Sequence, residues 1–175
     1  MIWRGGRLAD FELTLKFRLT GNPQANSGVQ FRAQDLGHFK VVGYQADIDL
    51  AGHYAGVLWD EDGRGLLGPR GVQASYDRAG KKSEERFAEE AAVANAYKSG
   101  EWNDYTIIAA GEHLTLKLNG VTTTRVIDRT RIERDTHGKP AANQPEHARE
   151  LYGHLALQLH SGGPTKIEFK DVRMK

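Results

Sequence analysis

The sequence contains no cysteine, so it has neither a disulfide framework nor a thiolate metal site. Its charges nearly cancel, with 24 Lys and Arg against 23 Asp and Glu. This balance gives no electrostatic support for binding nucleic acid or an anionic membrane surface. There is no run of about 18 apolar residues, so we expect no membrane-spanning helix. These absences argue against a nucleic-acid-binding, membrane-spanning or disulfide-stabilised protein.

What is present is typical of a soluble globular domain, with 39% hydrophobic and 27% charged residues. A length of 175 residues fits a single domain over 1–175. The 20 glycines predict many turns and therefore favour β structure. The sequence starts Met1-Ile2-Trp3-Arg4, without a basic and then apolar leader. We therefore expect either a cytoplasmic protein or one whose leader has been removed.

Hydrophobic alternation predicts strands over most of the chain. Residues 11–19 are apolar at every odd position, which predicts a half-buried strand. Asn119-Gly120 predicts a hairpin between the apolar stretches on either side of it. Residues 81–98 are rich in helix formers and predict a short helical insertion between strands. We therefore expect an all-β fold with one such insertion.

Two polar stretches predict loops. Residues 59–65 are acidic and glycine-rich, so we expect a loop there. Residues 128–150 are charged and contain Pro140 and Pro145. A loop of that length in a compact domain is usually functional or mobile.

The stretch 42–49 has two faces of opposite chemistry, because successive side chains of a strand point to opposite sides. One face is apolar and is expected in the core. The other carries an amide and two carboxylates with no balancing cation, which favours a ligand site over a solvated acidic surface. The residues of this polar face are Gln45, Asp47 and Asp49.

The same alternation places further polar side chains opposite the core. They are Gln30 and Arg32 on the strand 29–33, and His154, Gln158 and His160 on the strand 153–161. A sandwich can gather such faces into one cleft. Amides, carboxylates and a guanidinium suit a polyhydroxylated sugar, because each hydroxyl both donates and accepts hydrogen bonds.

Three further side chains could contribute to a sugar site, and for two of them we also consider a purely structural role. Trp59 or Trp102 could stack on the apolar side of a sugar, although Trp102 is expected in the core. Arg64 could reach the cleft from its glycine-flanked loop, or it could form a surface ion pair with Asp60 or Glu61.

Several ordered motifs resemble the 3-keto-disaccharide hydrolase family, and the resemblance extends from about Asp10 to the C-terminus. The motifs are Asn26-Ser27-Gly28-Val29-Gln30-Phe31-Arg32, Gly43-Tyr44-Gln45, Glu101-Trp102-Asn103, Leu118-Asn119-Gly120, Gly153-His154-Leu155-Ala156-Leu157-Gln158-Leu159-His160 and Phe169-Lys170-Asp171-Val172.

The resemblance implies a jelly-roll β-sandwich of two antiparallel sheets, similar to concanavalin-type lectins and glucanases, with a sugar site on a concave sheet. It also implies cleavage of glycosides oxidised at C3, in bacterial proteins that are periplasmic or secreted. Two features depart from the family. Many members carry Glu and then Gln where this chain has Gln45 and Asp47. Members usually begin with a Gly-Trp-containing strand, of which only Trp3-Arg4-Gly5-Gly6 remains, so we expect the first strand to be missing.

Two cleavage mechanisms fit these residues. In the favoured one, Asp47 or His160 removes the proton on C2 beside the C3 ketone, the C1 substituent is expelled, and Arg32 stabilises the enolate oxygen. In the other, Asp47 and Asp49 act as the carboxylate pair of an ordinary glycosidase. The rival function is a non-catalytic carbohydrate-binding module, and a structural interaction domain ranks last.

We expect no cofactor and no resident metal, and a small carbohydrate as the ligand. A divalent metal held by His154, His160 and Asp47 stays open, because these are suitable ligand types without a fixing local motif. The sequence predicts no particular oligomeric state.

Overall fold

A computed structural model describes residues 1–134, 136–137, 139 and 147–175 of the chain. The predicted loop at 128–150 therefore lies partly outside the described residues. Over the described part the strands are β1 (Phe11–Gly21), β2 (Asn26–Asp35), β3 (Val41–Asp49), β4 (Leu58–Glu61), β5 (Gly65–Gly68), β6 (Val72–Tyr76), β7 (Lys82–Arg86), β8 (Asn103–Ala110), β9 (His113–Leu118), β10 (Val121–Asp128), β11 (His154–Leu159) and β12 (Thr165–Met174), and the helix is α1 (Glu90–Ala94).

The strands form two sheets packed as a jelly-roll sandwich, which confirms the predicted fold class. One sheet has the order β12-β1-β8-β9-β10-β6-β7, and the other has the order β11-β2-β3-β4-β5. Every strand pair in the described chain is antiparallel except β6 with β10. This exception arises because β6 enters its sheet by crossing over from β5 of the other sheet, not through a hairpin from β10.

Alternating burial builds the core between the sheets. In β1, Leu13, Leu15 and Phe17 are buried while the residues between them are partly exposed. β3 differs because all nine of its residues are buried. Its apolar side chains face the core, so burial of the polar ones means that they lie on the floor of a depression on the outer face of the five-stranded sheet.

The predicted helical insertion is shorter than its composition suggests. Residues 82–86 form β7, an edge strand that pairs with β6, and only Glu90–Ala94 are helical. All five residues of β7 are exposed. Charged side chains on an open edge discourage pairing with another chain. The charged residues that suggested a helix therefore protect β7 as an edge strand. No helix in the described part of the chain is long and apolar enough to cross a membrane.

The N-terminal residues extend the five-stranded sheet beyond β11. The backbone of Met1 exchanges two hydrogen bonds with Leu157, with N···O distances of 2.7 and 2.8 Å. The amide of Trp3 donates to the carbonyl of Leu155 at 2.9 Å. This pairing covers the edge of β11 and places Ile2 beside Ala156.

Candidate functional site

A cleft opens on the outer face of the five-stranded sheet, with a volume of about 330 Å³. Its residues come from β2, β3, β4 and β11, from the residue that follows β11, and from the loop between β3 and β4. The cleft is lined by Asn26, Gln45, Asp47, Tyr54, Trp59, Glu61, Gln158 and His160. Gln45, Asp47, Gln158 and His160 were expected in such a cleft from strand alternation, and Trp59 was considered for stacking on a sugar. The structure brings these five together.

Asp47 lies on the floor of the cleft and is 6% exposed. Its Oδ1 accepts hydrogen bonds from Asn26 Nδ2 at 3.0 Å and from the amide of Ile48 at 2.8 Å. From the core side, the Tyr105 hydroxyl donates to the Asp47 carbonyl at 3.2 Å. No described residue donates to Oδ2 of Asp47. The backbone and one oxygen are therefore fixed while the other oxygen remains available to a ligand.

Burial raises the pKa of Asp47 to about 7, since a charged carboxylate loses hydration on the cleft floor. The two bonds to Oδ1 act in the opposite direction, and repulsion from Asp49 and Glu61 adds to the rise. A carboxyl group with this pKa exchanges its proton readily at neutral pH. Asp47 thus has the property that a general acid or base needs.

Asp49 shares the polar face of β3 but has a different role. Its Oδ1 accepts from the amides of Tyr54 and Ala55 at 2.7 and 2.8 Å, and its Oδ2 accepts from the amide of His53 at 3.0 Å. Both oxygens are therefore engaged by backbone donors. Asp49 anchors the loop after β3, and this loop brings Tyr54 to the cleft.

Glu61 joins the cleft because β4 continues to residue 61, where a loop was expected to begin at Trp59. Glu61 and Trp59 are two residues apart on one strand, so they share a face. Burial raises the pKa of Glu61, and repulsion from Asp62 adds to this effect while His160 opposes it. The sequence offered one signal for Glu61, namely its alternation with Trp59, and the glycine-rich turn that follows obscured it.

His160 follows β11 at the rim of the cleft. One of its ring nitrogens, Nδ1, lies 2.6 Å from the carbonyl oxygen of Ser161. A carbonyl oxygen only accepts, so Nδ1 carries the hydrogen of the neutral ring and Nε2 is left as an acceptor. Within the described residues, no group of three or more His, Asp or Glu side chains is arranged to hold a metal ion.

Aromatic and amide side chains form the rest of the cleft. The rings of Tyr54 and Trp59 meet edge to face, with centroids 5.9 Å apart. The Oε1 atoms of Gln45 and Gln158 are buried and have no hydrogen-bond partner in the described structure. An unpaired buried oxygen costs about 1–3 kcal/mol, so these two amides are held beside the cleft at a cost to the stability of the fold. Gln30, opposite Gln45 on β2, is buried and lies outside the cleft lining, in a neighbouring depression.

Arg32 does not reach the cleft. A β-bulge interrupts the pairing of β2 with β3 after Phe31, and Arg32 has a φ angle of 46°. The extra residue of a bulge breaks the alternation of faces, so Arg32 points away from the side that carries Gln30. Its guanidinium is buried, donating to the carbonyls of Ala9 and Gly111 at 2.9 and 2.6 Å.

Arg64 is also outside the cleft. It donates to Asp60 Oδ2 at 2.9 Å, to Asp128 Oδ2 at 2.6 Å and to Thr130 Oγ1 at 2.7 Å. Asp60 is 0% exposed, and Arg149 pairs with its other oxygen. The alternative prediction, an ion pair of Arg64 with Asp60, therefore named the right partner, but the pair is buried between the sheets and not at the surface.

Two other predicted residues lie apart from the cleft lining. His154 is on β11, with its Nδ1 buried and lacking a hydrogen-bond partner in the described residues. Trp102 lies between Arg18 and Lys170, whose charged groups are 4.9 and 3.9 Å from its ring. Of the two tryptophans considered for stacking on a sugar, the structure therefore places Trp59 in the cleft.

Sequence reasoning missed Asn26 and Tyr54 as well as Glu61. Asn26 shares the face of Gly28 and Gln30, so extending the alternation of β2 toward its start would have found it. Tyr54 lies in a loop without periodicity, and only the bonds from Asp49 fix its position.

Comparisons with known proteins agree with this fold. A search of curated protein sequences found no match. A proposed glycosyl hydrolase from Parabacteroides distasonis ATCC 8503 is 18% identical with a TM-score of 0.58, covering 97% of this chain and 79% of that chain. The carbohydrate-binding module CBM66 from Bacillus subtilis is 12% identical with a TM-score of 0.54, covering 98% of this chain and 78% of that chain.

A second proposed glycosyl hydrolase from Parabacteroides distasonis ATCC 8503 is 18% identical with a TM-score of 0.53, covering 98% of this chain and 73% of that chain. At these identities the structural likeness establishes the sandwich fold alone. The model of the 3-keto-alpha-glucoside-1,2-lyase-like domain matches residues 1–175. Since that match spans the full sequence, the chain belongs to the family of 3-keto-alpha-glucoside-1,2-lyase-like domains.

Proposed function

We propose that this protein is an enzyme that cleaves glycosides whose sugar ring carries a ketone at C3, and that cleavage begins with proton removal from C2. The observation that carries the proposal is Asp47, a buried carboxyl with a pKa of about 7 and one oxygen open to the cleft. Membership of the 3-keto-alpha-glucoside-1,2-lyase-like family supports the substrate class.

The proposed first step is an elimination. The ketone acidifies the proton on C2, and Oδ2 of Asp47 accepts it. The electron pair of the C2–H bond forms the C1=C2 double bond while the C1–O bond breaks. Glu61, whose pKa is raised by burial, gives its proton to the leaving oxygen. The products are the free alcohol and an unsaturated keto sugar.

The second step adds water across the C1=C2 double bond and returns it to a single bond, so that the net reaction is hydrolysis. The oxygen of the attacking water bonds to C1 while Nε2 of His160, the nitrogen that the bond to Ser161 leaves free, accepts its proton, and Asp47 returns to C2 the proton it took in the first step. Transfer of the proton from His160 to Glu61 then restores both groups. The amide of Gln45 donates to the developing enolate oxygen. This amide takes the role expected of Arg32, which is buried away from the cleft.

Ordinary glycoside hydrolysis by the pair Asp47 and Asp49 is less well supported. A nucleophile or base needs an available oxygen, and three backbone amides engage both oxygens of Asp49. Ketone-assisted elimination requires one strong carboxylate base in the cleft, and Asp47 meets this requirement.

A carbohydrate-binding module is the second candidate. CBM66 shares the fold, and the pair Tyr54 and Trp59 provides the exposed aromatic surface that sugar-binding modules use. A binding module needs such rings and amides but has no need of an acid with a raised pKa.

The test compares release of methanol from methyl 3-keto-glucoside and from its unoxidised parent, with and without a chelator. We expect release from the keto substrate alone, a loss of at least about 100-fold in kcat in Asp47→Asn, and unchanged activity in the exposed control Asp104→Asn. Loss of activity on chelation would add a metal to the site. Sugar binding without release from either substrate would refute the enzyme and favour the module.

A further inference from the structure

The cleft continues into a second depression, the groove, with a volume of about 390 Å³. Glu61 and Gln158 line both spaces, so the two are contiguous. The groove extends from these residues over Gln30 and Ala156 toward the N-terminal segment and the β2–β3 hairpin. A ligand bound in the cleft could therefore place one of its substituents in the groove.

The chemistry of the groove differs from that of the cleft. The cleft has aromatic and polar side chains and no aliphatic one, whereas seven of the twelve groove residues are apolar. Val41 and Ala156 belong to a small apolar cluster beside the groove, and Ile2 packs against this cluster. Of the five polar groove residues, Gln30, Glu61 and Gln158 lie toward the cleft, and Lys40 and Asp62 lie at the hairpin.

Phe39 stands at the mouth of the groove on the tip of the β2–β3 hairpin. It is 93% exposed, with a φ angle of 61°. Beside it, Lys40 pairs with Asp62 at 2.6 Å, which joins the hairpin to the turn after β4. The hairpin therefore forms a wall of the groove, and the Phe39 ring is available to cover an apolar ligand.

We propose that the groove is the leaving-group subsite and that it takes an apolar alkyl or aryl aglycone in preference to a second sugar. The inference rests on the proposed function, because Glu61, the acid assigned to the leaving oxygen, lies between the cleft and the groove. A second sugar would need a hydrogen-bond partner for each hydroxyl, and the far part of the groove offers Ile2, Val41 and Phe39. Lys40 and Asp62 are already paired with each other.

The experiment compares three 3-keto-glucosides, with methyl, cyclohexylmethyl and glucosyl leaving groups. The first two release alcohols of similar acidity, so their difference reports contacts and not leaving-group chemistry. We expect a KM for the cyclohexylmethyl compound at least about 10-fold below those of the other two. Phe39→Ala and Ile2→Ser should each remove most of this advantage, while Leu36→Ala, an exposed apolar change on the same hairpin outside the groove, should preserve it.

Failure of the subsite and failure of the proposed function give different results. Equal KM values, or a lower one for the disaccharide, would overturn the subsite and leave the enzyme intact. If no keto-glucoside is cleaved, titration of the unoxidised cyclohexylmethyl and methyl glucosides decides the matter. Tighter binding of the former, lost in Phe39→Ala, supports an apolar subsite in a binding module, and equal binding refutes it.

Discussion

Replacing Asp47 by asparagine should stabilise the fold at neutral and alkaline pH. The native pKa of about 7 lies above the ordinary value of 3.8, so the native state holds its proton through a range in which the unfolded chain has lost it. Stability therefore falls as the pH rises from about 4 to about 7. A difference of about three units at 1.36 kcal/mol per unit gives a loss of about 4 kcal/mol above pH 7.

Asparagine removes this loss because it does not ionise, and its side-chain oxygen can still accept from Asn26. The free energy of unfolding, measured with urea, should therefore shift in favour of Asp47→Asn by about 3 kcal/mol between pH 5 and pH 8, the share of the loss that falls in that window. The test is this change with pH. A difference in unfolding free energy that is the same at every pH would not report on ionisation of Asp47.

Two control variants make this test specific. Asp49→Asn should destabilise the protein by about 1–3 kcal/mol, because an amide group cannot accept all three backbone bonds made at that position. Asp104→Asn changes an exposed carboxylate, so its difference from wild type should stay nearly constant with pH. If the difference in unfolding free energy between Asp47→Asn and wild type did not change with pH, this would refute the reasoning that burial destabilises the Asp47 carboxylate.

Three other changes test the site and its support. Glu61→Gln should lower kcat by about 10²–10⁴-fold on methyl 3-keto-glucoside and much less on a nitrophenyl 3-keto-glucoside, whose leaving group needs no acid; equal losses would contradict the assignment. Gly28→Ala would place a Cβ 2.6 Å from Cγ of Gln45 and displace its amide from the enolate oxygen, so kcat should fall about 100-fold with little change in Tm, and an unchanged kcat would count against a role for this amide. Arg64→Leu should cost about 3–5 kcal/mol in urea unfolding because Asp128 keeps a buried charge without its cation, and a neutral result would show that the charge is compensated otherwise.

Strand alternation predicted the part of the site that depends only on which way a side chain points. The apolar and polar faces of β3 followed from Tyr44, Ala46 and Ile48, and this placed Gln45 and Asp47 opposite the core. The family motifs supplied the sandwich, which can gather such faces into one cleft, and the structure adds the pairing of β11 with β2 that brings Gln158 near Asp47. A face and a topology together were enough to predict a polar cleft on one sheet.

Alternation could not predict features that depend on an irregularity or on a distant partner. The bulge at Arg32 reverses the expected face, and no residue in that stretch is a glycine that would suggest a positive φ. The role of Asp49 depends on the loop after β3, which folds back so that its amides bind the Asp49 carboxylate. Glu61 was hidden because the strand ends and the loop begins within one run of three acidic residues, and only the pairing with β3 shows that the strand reaches Glu61.

The balance between stability and chemistry bears on the choice between enzyme and binding module. A module loses nothing if the carboxylate on its floor is replaced by an amide, because both groups can accept a hydrogen bond from a sugar hydroxyl. At this position an aspartate costs the fold free energy above pH 4, whereas an asparagine would not. The chain nevertheless has Asp47 there, with Asn26 oriented toward one oxygen and the other left open.

A base requires such a group, because the free energy lost by holding the carboxylate out of water reappears as a stronger affinity for the proton on C2. The gain in stability of Asp47→Asn at neutral pH and the loss of activity in the same variant should therefore occur together in an enzyme. In a binding module only the gain in stability would be seen, because a sugar hydroxyl can donate to the amide oxygen as well as to the carboxylate.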